Sequence, residues 1–256
     1  MPGVRVGDWD MCTNGRYTER GIMGRHGYAS ERYRIHPGYL VAVDPALGEL
    51  GVLLEPATVV AKAWDHIEKL GRRAAWAPAK VLITGAGPIG LLAALLSAQR
   101  GYDTYVFDLV TEGRKPEMVR RLGATYFHRD NISEAAREAD IVIECTGFVQ
   151  MLLQAGPQHV RYRITCLTGV SSAGREFTLD PGQLNRNMVL NNSVVFGSVN
   201  ANRRHYELAA EAIAKADPDW LAGLVTRQVP LDRWAEAYAR QPDDIKTALR
   251  FPGGSA

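Results

Sequence analysis

The sequence predicts an α/β protein built around a doubly wound parallel β-sheet. Apolar runs of strand length alternate with helical segments from residue 80 onwards, a pattern typical of a parallel sheet covered by helices on both faces. A glycine-rich turn directly follows the first of these runs. The two ends of the chain lack this alternation, so we expect them to form a second, β-rich unit.

Composition excludes several classes of partner. The 256 residues are 46% hydrophobic and 23% charged, with a net charge of +2, so charge indicates neither nucleic acid nor a membrane surface. Three cysteines fit a reducing compartment. The first residues have no apolar core of a secretory signal, and the longest apolar stretch, 89–98, is too short to span a bilayer. We therefore expect a cytoplasmic protein.

The segment before residue 80 contains one strong helical pattern. Residues 1–28 have no apolar period and predict a loop, and 28–45 contains short β-like runs broken by prolines. Apolar side chains then recur at spacings of three and four across 49–71, which predicts a helix with Pro56 separating its entry turn.

The middle of the chain predicts alternating strands and helices. The predicted strands are 80–85, 103–108, 125–128, 140–147, 162–169 and 193–199. The predicted helices are 87–101, 115–125, 133–139, 148–156 and 204–216. The tail predicts a β-like run at 224–230, a short helix at 232–241 and a closing strand at 245–251.

The glycine-rich turn predicts a dinucleotide site. Gly85, Gly87 and Gly90 follow a buried strand and open a helix, with Pro88 and Ile89 in the same turn. In such a Rossmann turn, glycines permit the tight bend, the close approach of a pyrophosphate and the packing of helix on strand. The helix N-terminus then offers unpaired N–H groups to the phosphates.

The residue that ends the next strand predicts which dinucleotide binds. Asp108 lies 18 residues after Gly90, where a carboxylate holds both hydroxyls of the adenosine ribose and repels a 2′-phosphate. This favours NAD. Arg114 and Lys115 follow in a predicted loop and leave NADP open, although solvated surface charge is the more ordinary interpretation of both.

Several motifs together identify a family. The segments TGAGPIGLLAALLSAQRG, LLEP, ECTG, LTGV and GSVNANRRHY resemble the medium-chain, zinc-dependent alcohol dehydrogenase superfamily. NGRYTERGI, HGYASERYRI and LLEPATVVAKAW narrow the resemblance to its glucose dehydrogenase branch. The resemblance covers essentially the whole chain.

The resemblance implies how the chain is divided into domains. It implies a partial GroES-like catalytic domain from 1–56 and 217–256 around an NAD(P)-binding Rossmann domain at 57–216, with the first part of the catalytic domain absent. It further implies a homo-oligomer formed through the edge of the Rossmann sheet.

The resemblance also implies site residues. Glu19 matches a contact to a substrate hydroxyl, Glu55 a contact on the sugar or metal side, and Asn200 a residue lining nicotinamide and sugar. The remaining matches are cofactor-binding loops at the carboxyl ends of strands: Thr146, Gly147, Leu167, Thr168, Gly169, Ser198 and Val199. Each has a plainer alternative: Glu19 as a surface acid, Glu55 as a helix-start acid, Asn200 as a turn residue.

The implied chemistry is hydride transfer from a sugar hydroxyl to NAD(P), with a catalytic zinc that polarises the hydroxyl. In the resembled enzymes the main zinc ligands belong to the segment absent here, so we expect no complete catalytic set, with Glu55 at most in the vicinity of the metal. A lone Cys12 cannot form a tetrahedral structural zinc site. The alternative function is a non-catalytic NAD(P)-binding remnant; a metal-free reductase is disfavoured by the sugar-contact motifs.

Overall fold

The computed structural model describes residues 7–128, 138–148, 160–172, 174 and 176–252. Before the first long helix the chain has little regular structure. A 3₁₀ turn at Trp9–Met11 precedes a pair of two-residue strands, β1 (Glu19–Arg20) and β2 (Gly24–Arg25). The loop predicted for 1–28 is confirmed for most of its described part.

Residues 28–45 form no strand, so the β-like prediction there is wrong. Pro37–Tyr39 is instead a 3₁₀ turn, since prolines and Gly38 interrupt any ladder. A further 3₁₀ segment, Pro45–Leu53, leads into helix α1 (Leu54–Gly71), where Pro56 lies inside the first turn and does not precede the helix. Proline is tolerated there because first-turn N–H groups have no intrahelical acceptor.

Within the described ranges, one six-stranded parallel sheet forms the centre of the molecule. Its strands are β3 (Lys80–Thr84), β4 (Asp103–Phe107), β5 (Thr125–Phe127), β6 (Ile141–Glu144), β7 (Ile164–Leu167) and β8 (Val194–Gly197). Their order across the sheet is β5-β4-β3-β6-β7-β8. This is the Rossmann order, which reverses direction between β3 and β6, and the predicted α/β fold class is confirmed.

Alternation along β3 shows how the sheet is buried. Val81 and Ile83 join the main apolar cluster on one face, while Leu82 joins a smaller cluster on the other. Successive side chains of a strand point to opposite faces, so a strand covered on both sides is apolar throughout. The helices predicted at 133–139 and 148–156 fall almost entirely outside the described residues.

Five further helices flank the strands in the described part of the chain. They are α2 (Pro88–Gln99), α3 (Arg114–Arg121), α4 (Pro181–Asn191), α5 (Arg203–Ala214) and α6 (Pro218–Leu224). Helix α1 packs on both α2 and α5, and apolar residues from all three join the main core cluster.

Helices α4 and α6 were not predicted from the sequence. Each begins with an aspartate N-cap followed by proline: the Asp180 carboxylate accepts from the Gln183 N–H at 3.0 Å, and the Asp217 carboxylate accepts from the Asp219 N–H at 3.0 Å. An Asp-Pro pair is a recognisable helix start. Helix α4 has no buried residue, so it lacks the apolar period on which the prediction depended.

The C-terminal segment forms a separate two-stranded parallel sheet from β9 (Val225–Pro230) and β10 (Lys246–Arg250). Both strands were predicted. The intervening 232–241 segment is not an α-helix as expected, because Leu231–Tyr238 forms 3₁₀ turns with a non-helical residue inside. Among the described residues, no helix combines the length and apolarity needed to cross a bilayer. The domain boundaries stay a prediction.

Candidate functional site

The glycine-rich turn lies between β3 and α2, as predicted. Gly85 adopts φ +94°, and a Cβ at Gly90 would come within 1.7 Å of the Gly85 carbonyl oxygen. Both positions therefore exclude larger residues. A Cβ at Gly87 would meet no atom within 4 Å. The space in front of the helix N-terminus is open, and it fits a phosphate group.

Asp108 lies at the carboxyl end of β4, directly beside this turn. Its carboxylate accepts from the Ala86 N–H at 2.6 Å and from the Leu109 N–H at 2.7 Å. Burial by itself would raise the pKa of Asp108, but the Ala86 hydrogen bond and the charge of Lys115 hold that pKa below its usual range. The group is a half-buried, ionised acceptor next to the phosphate turn.

Lys115 does not lie in a solvated loop, which corrects the more ordinary interpretation of this residue. It is in the first turn of α3, buried, with its ammonium 3.4 Å from the Asp108 carboxylate. Arg114 beside it is exposed. Helical geometry turns neighbouring side chains about 100° apart, which explains why two adjacent cations differ.

Glu144 occupies the point where the strand order reverses. This carboxylate, 1% exposed, ends β6, and it accepts from the backbone N–H groups of Thr146 at 2.6 Å and Gly147 at 3.1 Å. Sequence reasoning did not single it out. The sequence signal that could have identified Glu144 is an acidic residue at the end of an otherwise apolar strand, in DIVIECTG. Glu144 orders the loop at the crevice where open α/β sheets bind ligands.

The predicted cofactor loops meet at this edge of the sheet. The Thr168 N–H donates to the Glu144 carbonyl at 2.8 Å, and the Ser198 N–H donates to the Leu167 carbonyl at 2.9 Å. A Cβ at Gly169 would lie 2.1 Å from the Gly147 nitrogen, so the two loops touch. Among the residues that the structure describes, none is a hydrogen-bond partner of the buried Ser198 hydroxyl oxygen. A buried orphan hydroxyl is costly unless a ligand pairs with it, which fits a bound cofactor.

Two of the three predicted substrate residues are in contact. The Asn200 amide donates to a carboxylate oxygen of Glu19, although the residues are far apart in sequence. Asn200 has φ +62°, so its backbone is also that of a turn residue. The N-terminal segment therefore lies against the loop that follows β8, at the carboxyl edge of the sheet.

Glu55 lies at the start of α1 and is exposed. Its charge contributes to raising the pKa of Tyr206 on α5, after the larger effect of burial. In the described residues, Glu55 belongs to no group of three potential metal ligands. The position agrees equally with the simpler interpretation of an acid at a helix N-terminus.

Across the described ranges, the tertiary structure brings together one metal-ligand set that no spacing predicted: Asp65, His66 and His205. Two cations already occupy the Asp65 carboxylate, because the Lys69 ammonium and the Arg204 guanidinium each lie 2.6 Å from it. The His205 ring accepts from the Asn202 N–H at 3.1 Å as part of a helix cap. These partners make the group a structural ion-pair network.

The strand order, the open glycine turn and the acid that ends β4 define a Rossmann-fold dinucleotide-binding protein. Residues 48–251 match the family model described as "Glucose dehydrogenase C-terminus". The chain belongs to the glucose dehydrogenase family, as its motifs predicted.

Curated relatives and solved structures support this assignment. Glucose 1-dehydrogenase of Methanocella arvoryzae is 33% identical, over 96% of this chain and 71% of its own. Glucose 1-dehydrogenase 1 of Caldivirga maquilingensis is 38% identical, over 94% and 70%. The crystal structure of Haloferax mediterranei glucose dehydrogenase superposes with a TM-score of 0.88 at 31% identity, covering 98% of this chain and 73% of that one. Another structure of that enzyme is a complex with NADP, Zn and gluconolactone.

Proposed function

We propose that this protein is of the NAD(P)-dependent glucose or aldose dehydrogenase type, whose reaction transfers a hydride from a sugar hydroxyl carbon to the nicotinamide, and that its turnover is impaired. The observation that carries the proposal is the juxtaposition of two predicted sites at one edge of the sheet. The open Gly87 turn and Asp108 follow β3 and β4, and the Glu19–Asn200 pair adjoins the loop after β8. A hydride donor and its acceptor need such proximity.

Each group of residues has a distinct task in this proposal. The first-turn N–H groups of α2 bind the pyrophosphate, and the Asp108 carboxylate accepts from the ribose hydroxyls. The orphan hydroxyl of Ser198 pairs with the nicotinamide end of the cofactor. Glu19 accepts from a sugar hydroxyl while Asn200 donates to another. NAD(P)+, when bound, supplies the hydride acceptor.

Zinc does not fit the residues described. A catalytic zinc takes about three protein ligands and keeps one open position, whereas Glu55 has no second and third ligand beside it in the described part of the chain. The task of polarising the sugar hydroxyl is therefore not assigned to any of the described residues. That observation favours the second candidate function, a non-catalytic NAD(P)-binding protein.

We also propose that NAD is preferred to NADP. A half-buried carboxylate at the ribose position repels a 2′-phosphate, although Lys115 at 3.4 Å partly compensates its charge. The solved Haloferax complex contains NADP, so the preference differs within the family if the proposal holds.

We propose further that two copies associate through β8, the outer strand of the sheet. Val195 on this strand is exposed, and so are Val189 and Leu190 of α4, the helix that precedes β8 along the chain. An unpaired edge strand is a template for another chain.

Three cysteines in 256 residues support a cytoplasmic location.

Two measurements separate the two candidate functions. Titration with NADH, followed by its fluorescence, tests cofactor binding, which both candidates require. Steady-state NADH production from glucose, with and without added zinc, then tests catalysis. We expect binding together with little turnover, because the described residues form no three-ligand set at Glu55. Slow but measurable turnover would support the impaired dehydrogenase, and its complete absence would support the non-catalytic protein. Turnover on the order of ten per second would contradict the impairment.

A further inference from the structure

We propose that Lys62 is a positioning residue for the sugar site, because its buried ammonium holds the loop 198–202 in the conformation that brings Asn200 to Glu19. The inference rests on the proposed function only in assigning Asn200 and Glu19 to the sugar. The positioning itself depends on contacts around Lys62, which no motif indicated.

Lys62 is an unusual lysine. It lies in the middle of α1 and is 2% exposed. A buried ammonium is costly unless it is paired and hydrogen-bonded. Its nitrogen lies 2.6 Å from the Asp10 carboxylate, whose side chain is equally buried.

The ammonium also donates to the Val199 carbonyl oxygen at 2.7 Å. That carbonyl belongs to the residue before Asn200, whose φ of +62° is uncommon for a residue other than glycine. A fixed carbonyl on one side of Asn200 restricts the rotation of the loop. Lys62 thus acts on the sugar residue through the backbone and does not touch the sugar itself.

The partner of Lys62 holds the other end of the same loop. The Asn202 amide donates to the Asp10 carboxylate at 2.9 Å and to the Asp8 carboxylate at 3.1 Å. Burial by itself would raise the pKa of Asp10. The hydrogen bond and the charge of Lys62, together with the hydrogen bond from Asn202, nevertheless hold that pKa below its usual range. One ion pair therefore fixes the loop on both sides of Asn200.

The same ion pair fixes the N-terminal segment that carries Glu19. Asp10 lies in the Trp9–Met11 turn, in which neither Trp9 nor Met11 is buried. Polar contacts, not apolar packing, therefore hold this turn against α1. Both members of the Glu19–Asn200 pair depend on the Asp10–Lys62 contact for their placement.

Hydrogen–deuterium exchange of the whole chain tests the positioning without any requirement for activity. In Lys62→Met we expect amides of 199–202 to exchange about tenfold faster, with β3 and β6 unchanged. Lys69→Met is the matched control, since Lys69 lies on the same helix and pairs with Asp65 at a half-exposed position; it should leave the loop unchanged. Equal exchange of the loop in Lys62→Met and the wild type would overturn the proposal, as would an equal rise in loop and sheet.

Asp10→Asn is the second variant, in case Lys62→Met does not fold. It keeps the shape of the side chain and the Lys62 ammonium that donates to the Val199 carbonyl, but it removes the counter-charge. We therefore expect faster exchange at 199–202 than in the wild type and slower exchange than in Lys62→Met. An unchanged loop in Asp10→Asn and in any folded Lys62→Met would overturn the proposal.

Kinetics separate this inference from the proposed function. If the wild type oxidises glucose, Lys62→Met should raise KM for glucose about tenfold while Kd for NADH stays within about twofold. Equal weakening of both would indicate a general structural role and overturn the positioning. If the wild type neither binds NADH nor oxidises glucose, the proposed function fails, whereas the exchange comparison needs no activity and still decides whether Lys62 positions the loop.

Discussion

The three glycines of the phosphate turn do different work at the residue scale. Gly87 has φ −79° and ψ −175°, an extended conformation that any residue adopts, and open space where a Cβ would be. Gly90 has no such space, because its Cβ would meet the Gly85 carbonyl at 1.7 Å. Gly87 therefore leaves room for the ligand, whereas Gly90 is required for the packing of helix on strand.

This difference predicts opposite outcomes for two substitutions. Gly87→Val should abolish NADH binding because the new side chain occludes the pyrophosphate. The free energy of unfolding should change by less than about 0.5 kcal/mol. Gly90→Ala should destabilise the protein by about 1–3 kcal/mol because helix and strand must separate. Fluorescence titration and thermal denaturation measure the two effects. Normal NADH affinity in Gly87→Val would contradict the assignment of the turn.

Asp108 determines the second prediction at this scale. Asp108→Asn keeps an acceptor for the Ala86 N–H but removes the charge, so NADH affinity should fall about tenfold or more while NADPH affinity changes little. Calorimetric titration of the wild type and the variant with both cofactors measures the preference. Equal affinity of the wild type for NADH and NADPH would show that the NAD preference is wrong.

At the scale of elements, the contact between α1 and α5 contains two histidines, His66 and His205, whose protonation makes stability depend on pH. Burial lowers the pKa of His66 and of His205, and the nearby Lys62 contributes in the same direction, although Asp65 opposes it. Both imidazoles therefore take up a proton less readily in the folded state than in the unfolded chain, whose reference value is 6.5.

The sign of the pH effect follows from linkage. A depressed histidine pKa contributes stability that is present above about 6.5 and is lost as the pH falls, because the unfolded chain binds the proton first. We expect the free energy of unfolding, and with it Tm, to fall between pH 7.5 and pH 5.5; the free energy falls by at most about 1.4 kcal/mol per pH unit for each proton. His66→Gln should flatten this dependence, whereas His26→Gln, at an exposed position, should not. Identical pH profiles for His66→Gln and the wild type would contradict the argument.

At the scale of the whole molecule, the edge of the sheet predicts association. If β8 pairs with β8 of a second copy, light scattering should give a dimer or a larger even assembly. Val195→Lys should shift the protein towards the monomer, because a lysine on an edge strand blocks pairing. Tyr238→Lys, at an exposed site away from the sheet, is the control. A monomeric wild type at micromolar concentration would contradict the proposed association.

Local patterns predicted the parts of the molecule that depend on neighbouring residues. Apolar runs identified the six strands of the sheet, and the 3–4 spacing of Val60, Trp64 and Ile67 identified α1, whose buried face these residues form. The pattern failed where burial was absent, as in the exposed α4, and where prolines gave 3₁₀ turns instead of strands. Motif resemblance assigned the family and named Glu19 and Asn200.

The sequence by itself determined the strand-turn-helix unit and its acid, because a turn, a strand and a helix start are set by residues a few positions apart. Only the tertiary structure decided which distant polar and charged side chains meet. Lys62 pairs with Asp10, Asp65 meets His205, and Asn200 meets Glu19, across separations of 52, 140 and 181 residues. Such pairs depend on how helices pack and loops close over the sheet, and no local pattern records that geometry.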